Sequence, residues 1–186
     1  TLFFYTSLFR FPGLLPESNS IRCNTDDVCL MITGMGHANV AASVTALTLD
    51  PRFDLRQAYF LIAGIAGIDP AQGTTGTATW ARYLVDVGIA HQIDTREMPK
   101  SWKSGYIGIM TKGPGEKPKF EYQTEVAQLD EALLQKALAL TRNASLADSS
   151  AARDYRAHYR KAPANQPPTV RQCDTLGGDT WWHGHR

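Results

Sequence analysis

The side chains best suited to chemistry in this sequence are few and scattered. His183 and His185 stand close to Asp179, but a His-x-His pair needs further ligands, and no carboxylate or thiolate set supplies them, so no metal is expected. His37 has no neighbour in sequence that would make it a general base. There is no G-x-S-x-G turn for an activated serine, no paired cysteine-histidine motif and no carboxylate dyad for acid-base work. The stronger signals are glycine turns beside apolar or aromatic residues. Gly34 and Gly36 interrupt Met31-Ile-Thr-Gly-Met-Gly-His-Ala-Asn39, Gly64 and Gly67 interrupt Phe60-Leu-Ile-Ala-Gly-Ile-Ala-Gly-Ile-Asp69, and Gly178-Asp179 precedes Trp181 and Trp182. Glycine permits a sharp turn or a close approach of backbone to a ligand, and an indole face at such a turn can stack on a flat heterocycle. Each signal also has a plainer reading that stays open: glycines for close strand-to-helix packing, tryptophans for ordinary packing, Asp179 as a helix cap.

Phosphate loops make narrower demands. The run at Gly34 lacks the Gly-Lys-Ser/Thr close of a P-loop, and no third glycine follows at Asn39 or Val40, so a dinucleotide site and a nucleotide cofactor are not expected. A helix opening near His37 would still present backbone N–H groups to an anion or a hydroxyl.

Composition narrows the partners. With 186 residues the chain can bury one substantial core, and 19 basic against 18 acidic residues leave a net charge of +1. That balance gives no electrostatic reason to expect nucleic acid or an anionic membrane, and it points to a small, nearly neutral ligand. Residues 1–11 are apolar and aromatic but too short to span a bilayer, and they lack the pattern of a signal peptide. They read as an edge strand or the end of something upstream, and no membrane span is expected from this chain. Cys23 and Cys29 bracket the turn-prone Asn24-Thr25-Asp26-Asp27, which makes them either a disulfide pair of a secreted protein or two reduced thiols of a cytosolic hairpin. Asn143-Ala144-Ser145 fits the N-glycosylation acceptor pattern and favours export. Cys173 reads as a buried core thiol.

These residues are positioned by elements that the pattern largely announces. Residues 28–33 form a strand, 36–49 a helix stopped by Asp50-Pro51, and 58–63 a second, uncharged buried strand. Residues 74–87, rich in Thr, Tyr, Val and Trp, suit one long strand or two short antiparallel ones. Residues 98–120 form a long surface loop around Gly113-Pro-Gly-Glu-Lys-Pro118. Helices follow at 130–140 and 148–161, then a strand at 169–173. This order predicts an α/β fold with a mixed central sheet flanked by helices. The organisation expected is a poorly defined lead-in over residues 1–20 and a domain over 21–186.

Five runs, Thr33-Gly-Met-Gly-His-Ala-Asn-Val-Ala-Ala-Ser43, Ala63-Gly-Ile-Ala-Gly-Ile-Asp-Pro70, Lys112-Gly-Pro-Gly-Glu-Lys-Pro118, Ala164-Asn-Gln-Pro-Pro-Thr-Val170 and Gly178-Asp-Thr-Trp-Trp182, closely resemble the purine nucleoside permease family. That family is in turn similar to the nucleoside phosphorylase and nucleosidase superfamily, so the resemblance implies a phosphorylase-like fold. It also implies binding and uptake of purine nucleosides such as adenosine, inosine or guanosine, without a cofactor, by a secreted or cell-surface protein with a membrane partner or further copies of itself. The site it implies places Met35 and Gly36 at the sugar and Gly64, Ile65, Ala66 and Gly67 along base and sugar. Trp181 then stacks on the purine, with Trp182 and Asp179 beside it. Ile65 stands where related enzymes carry a serine that approaches phosphate, which speaks against phosphate-dependent cleavage. The alternative is cleavage of the N-glycosidic bond by a full-length parent, but the family's catalytic acids fall outside this chain. The resemblance therefore implies an incomplete domain, truncated at both ends and inactive alone. Which purine is preferred, and whether water or phosphate would be the acceptor, stay open.

Overall fold

The structure is a computed structural model that describes residues 6–120 and 122–178. It divides into two compact units, Thr1–Ala63 and Gly64–Arg186.

The first unit is an antiparallel meander with one helix. Strands β1 (Ser7–Arg10), β2 (Ser20–Cys23) and β3 (Cys29–Met31) lie in that order, so β1 is an edge strand. The β2–β3 turn is tightened by Asn24, whose Oδ1 accepts from the N–H groups of Asp26 and Val28, both at 2.9 Å. Cys23 and Cys29 pair directly across the two strands and are joined by a disulfide, with Cα atoms 4.0 Å apart. Helix α1 (His37–Leu49) begins at Gly36 and ends at Asp50, within a residue of the sequence expectation. Its Leu47 joins Phe11, Ile21 and Cys23 in the core, with Phe9, Leu14, Met31, Phe53 and Leu55 packed around them.

Arg52 covers that core's aromatic rim. Its guanidinium lies 5.5 Å from the Phe9 ring centre and 5.7 Å from that of Phe11. It also donates to the Arg10 carbonyl at 3.0 Å and is paired with Asp50. Hydrogen bonds from the Arg52 side chain, then from its backbone N–H, hold the Asp50 carboxyl down at about 2.

The second unit is built on contacts between residues far apart in sequence. Strand β4 (Ala78–Trp80) runs parallel to β9 (Val170–Gln172). Strand β5 (Tyr83–Asp86) lies between β10 (Thr175–Gly177), parallel to it, and β8 (Val126–Gln128), antiparallel. A short hairpin joins β6 (His91–Gln92) to β7 (Tyr106–Ile107), the latter inside the predicted long loop. Helix α2 (Glu131–Thr141) is N-capped by Asp130, which accepts from the Leu133 N–H at 2.9 Å, and buries Leu134. Trp80 Nε1 donates to Thr141 Oγ1 at 2.9 Å, fastening α2 to β4. Helix α3 (Ser150–Arg156) buries Arg156, whose guanidinium makes two bonds to Asp148, at 2.8 and 2.7 Å.

The α/β class and the mixture of parallel and antiparallel pairing are present, with the described strands distributed over four small sheets. Four expectations need correction. Residues 58–63 are not a strand: they are irregular and exposed, Tyr59, Leu61 and Ile62 by 74% or more, because they meet no partner strand among the described residues. Residues 74–87 hold two short strands, but β4 and β5 pair with β9 and β10 rather than with each other. The helix expected at 148–161 spans only Ser150–Arg156: Asp148 binds Arg156 and Ser149 caps the start, accepting from the Ala152 N–H at 3.2 Å, while beyond Arg156 the His158 and Tyr159 N–H groups bond the Tyr155 and Arg156 carbonyls in tighter three-residue turns, at 3.2 and 3.0 Å. Cys173 is half-exposed rather than core, since it follows the last ladder residue of β9.

Removing the disulfide by Cys23→Ser with Cys29→Ser should lower stability by about 2 kcal/mol, the chain-entropy value for so short a loop. Urea midpoints check this, and an unchanged midpoint would show that the clip does not constrain the unfolded chain. The carboxyl of Asp50 binds its proton more weakly folded than unfolded, so its stabilising contribution is full above about pH 4 and lost as pH falls toward about 2. Asp50→Asn should flatten the loss of stability across that interval, measured as urea midpoints at stepped pH; an identical slope in the variant would assign the acid sensitivity elsewhere.

Candidate functional site

The first of the predicted glycine turns is a built feature. The chain leaves β3 and enters α1 through Gly34 and Gly36, whose φ angles of 78° and 85° lie in the left-handed region that side-chain-bearing residues avoid. Gly34 is also enclosed: a Cβ there would lie 3.1 Å from Ser18 Oγ and 3.3 Å from Asn39 Cβ. Asn39 Nδ2 donates to the Met35 carbonyl at 2.7 Å, and Ser43 Oγ donates to the Thr33 carbonyl at 3.2 Å, which ties the turn to the helix. The close packing offered as the plainer explanation of Gly34 is therefore real.

Two features of this turn go beyond packing. No side chain caps the start of α1, so its first backbone N–H groups are not engaged by a capping residue. Ser18 is 2% exposed, and its Oγ has no hydrogen-bond partner among the described residues, although a buried hydroxyl normally finds one. Met35 projects outward, 83% exposed. Ser18 lay beyond the reach of sequence reasoning, because it comes from the Pro/Gly/Ser-rich stretch before β2 and meets Gly34 only through the fold.

The second glycine run, in the other unit, differs in kind. Residues 64–67 are irregular, and a Cβ added at Gly64 or Gly67 would meet nothing within 4 Å. Ile65 is fully exposed. Packing within the described structure does not require these glycines. Ala66 is exposed with them. The third group, Asp179, Trp181 and Trp182, lies outside the described residues, as do His183 and His185; Gly178 immediately before them packs toward Val87, where a Cβ would come within 3.2 Å of its Cγ2.

A cleft of about 420 Å³ in the second unit is lined by Pro70, Ala71, Tyr159, Arg160, Lys161, Ala162 and Ala164. It contains none of the glycine-turn residues, and its open wall is not the enclosure a nucleoside site requires. Among the described residues no three His, Cys, Asp or Glu side chains come together to hold a metal, and no helix is long and apolar enough to cross a membrane.

Comparison with known proteins gives this geometry its context. Residues 3–186 match the family described as Purine nucleoside permease (NUP). A probable purine nucleoside permease of Schizosaccharomyces pombe is 37% identical over 189 residues, covering 97% of this chain and 54% of that protein. A purine nucleoside permease of Candida albicans is 37% identical over 179 residues, covering 94% of this chain and 44% of its own length. No solved structure matches. The chain belongs to the purine nucleoside permease family, and it spans about half the length of these relatives.

Gly34→Ala should cost the protein about 1–2 kcal/mol, the penalty of a left-handed residue with a side chain. Gly64→Ala, with open space and no left-handed backbone, should leave stability within about 0.5 kcal/mol of the parent. Urea unfolding of both variants checks the pair, and equal effects would contradict the distinction between the two turns.

Proposed function

We propose that this protein binds purine nucleosides such as adenosine, inosine or guanosine and serves their uptake, acting secreted or at the cell surface beside a membrane partner. The observation that carries the reading is the match of residues 3–186 to the purine nucleoside permease family. A net charge of +1 suits a neutral nucleoside better than a nucleotide.

The roles proposed for individual residues are those that the resemblance to the family implies, and the chemistry of each side chain suits its role. Met35 offers an apolar face to the ribose, and the uncapped N–H groups beyond Gly36 offer donors to its hydroxyls. Gly64, Ile65, Ala66 and Gly67 present bare backbone and one apolar side chain, against which a sugar or base edge can lie closely. Trp181 is assigned as the platform for the purine ring, with Trp182 as its neighbour and Asp179 as the polar group orienting the base. The role assigned to each of these residues is recognition of the nucleoside rather than cleavage of its glycosidic bond.

Titrating adenosine or inosine into the purified full-length protein should quench tryptophan fluorescence saturably. Trp181→Ala should weaken affinity by about 1–3 kcal/mol, roughly 5- to 150-fold, the range for loss of an aromatic stack on a base. A folded protein that shows no saturable response, together with no nucleoside binding by equilibrium dialysis, would overturn the assignment.

A further inference from the structure

We propose that Asn143 carries an N-linked glycan. Asn143-Ala144-Ser145 is the sole Asn-x-Ser/Thr acceptor in the 186-residue sequence, with a small residue at its centre. Its place in the fold suits modification. Helix α2 ends at Thr141, and the Ala144 N–H donates to the Thr141 carbonyl at 2.8 Å, which makes a turn immediately after the helix with Asn143 in it. Asn143 and Ser145 are both exposed, and the Asn143 carboxamide has no hydrogen-bond partner among the described residues. No packing or capping role accounts for the side chain, and nothing in the described structure would be displaced by a bulky substituent on it.

A second observation, in the other unit, points to the compartment where such a group is added. The Cys23–Cys29 disulfide forms and persists in an oxidising secretory environment rather than in a reducing cytosol. In that compartment the co-reactant is an oligosaccharide carried on a polyprenyl pyrophosphate. Asn143 Nδ2 attacks C1 of the first sugar, the C1–O bond to the pyrophosphate breaks, the lipid pyrophosphate leaves, and Nδ2 gives up one proton. The Ser145 hydroxyl, two residues on, is the part of the acceptor that the transferase reads. A glycan at this turn would shield the exposed end of α2, including Leu140, which is 76% exposed.

The test uses the full-length protein purified from its native cells, analysed by peptide mass before and after an amidase that releases N-glycans and converts the carrier asparagine to aspartate. The expected result is a glycopeptide spanning Asn143 that, on treatment, loses its glycan and carries aspartate at that position. The glycopeptide should be absent from both Asn143→Gln and Ser145→Ala, and retained in Ser145→Thr. Recovery of the mature protein with Asn143 unmodified would overturn the proposal, as would a glycopeptide that persists in Ser145→Ala.

Discussion

The cross-strand pairing of Cys23 with Cys29 is the constraint on which the first unit depends. Side chains alternate between the two faces of a strand, so a one-residue slip would send Ile21 and Met31 away from the core. The disulfide forbids that slip, and the Asn24 turn fixes the same register from the loop side. With β3 held, the chain leaves it after Met31, and the left-handed glycines that follow can turn it into α1. Leu47 then reaches the core formed by Phe11 and Ile21. The position of Met35 and of the uncapped helix start is thus a consequence of the hairpin that ends just before the turn begins.

The second unit relies on polar links more than on a large apolar core. Among its described residues the buried hydrophobic ones are Ile107, Leu134 and Ala164. The buried Thr74 donates to the Ala164 carbonyl at 2.7 Å, Arg171 donates to the Gln72 carbonyl at 2.7 Å, and Asp174 accepts from the Arg82 and Tyr83 N–H groups at 3.2 and 3.0 Å. Each bond joins residues far apart in the chain, and the one at Thr74 is buried, where a polar group is costly to leave unpaired. They define how β4, β5, β9 and β10 come together without requiring many large side chains.

Family membership and geometry bear on function at different levels. The family match and the two relatives place the chain in the purine nucleoside permease family, and it spans about half the length of those relatives. The described structure adds a turn with an unpartnered buried hydroxyl and an uncapped helix start in one unit, and bare glycine backbone in the other.

What the sequence by itself determined was local. The α1 and α2 boundaries were legible because apolar spacing and, for α1, the Asp50-Pro51 stop act within a few residues. The left-handed glycines at 34 and 36 were legible as a turn for the same reason, and so was the Asn24 hairpin. The tertiary structure alone decided which strands pair. The patterns of β4 and β5 are compatible with pairing to each other, yet their parallel partners β9 and β10 lie near the far end of the chain, and strand propensity says nothing about a partner's identity. The same reason left residues 58–63 misread: an apolar, uncharged run has a strand's composition, but a strand exists only through hydrogen bonds to a neighbour. Ser18 was invisible until the fold enclosed it beside Gly34, since burial is a property of what surrounds a residue and not of the residue.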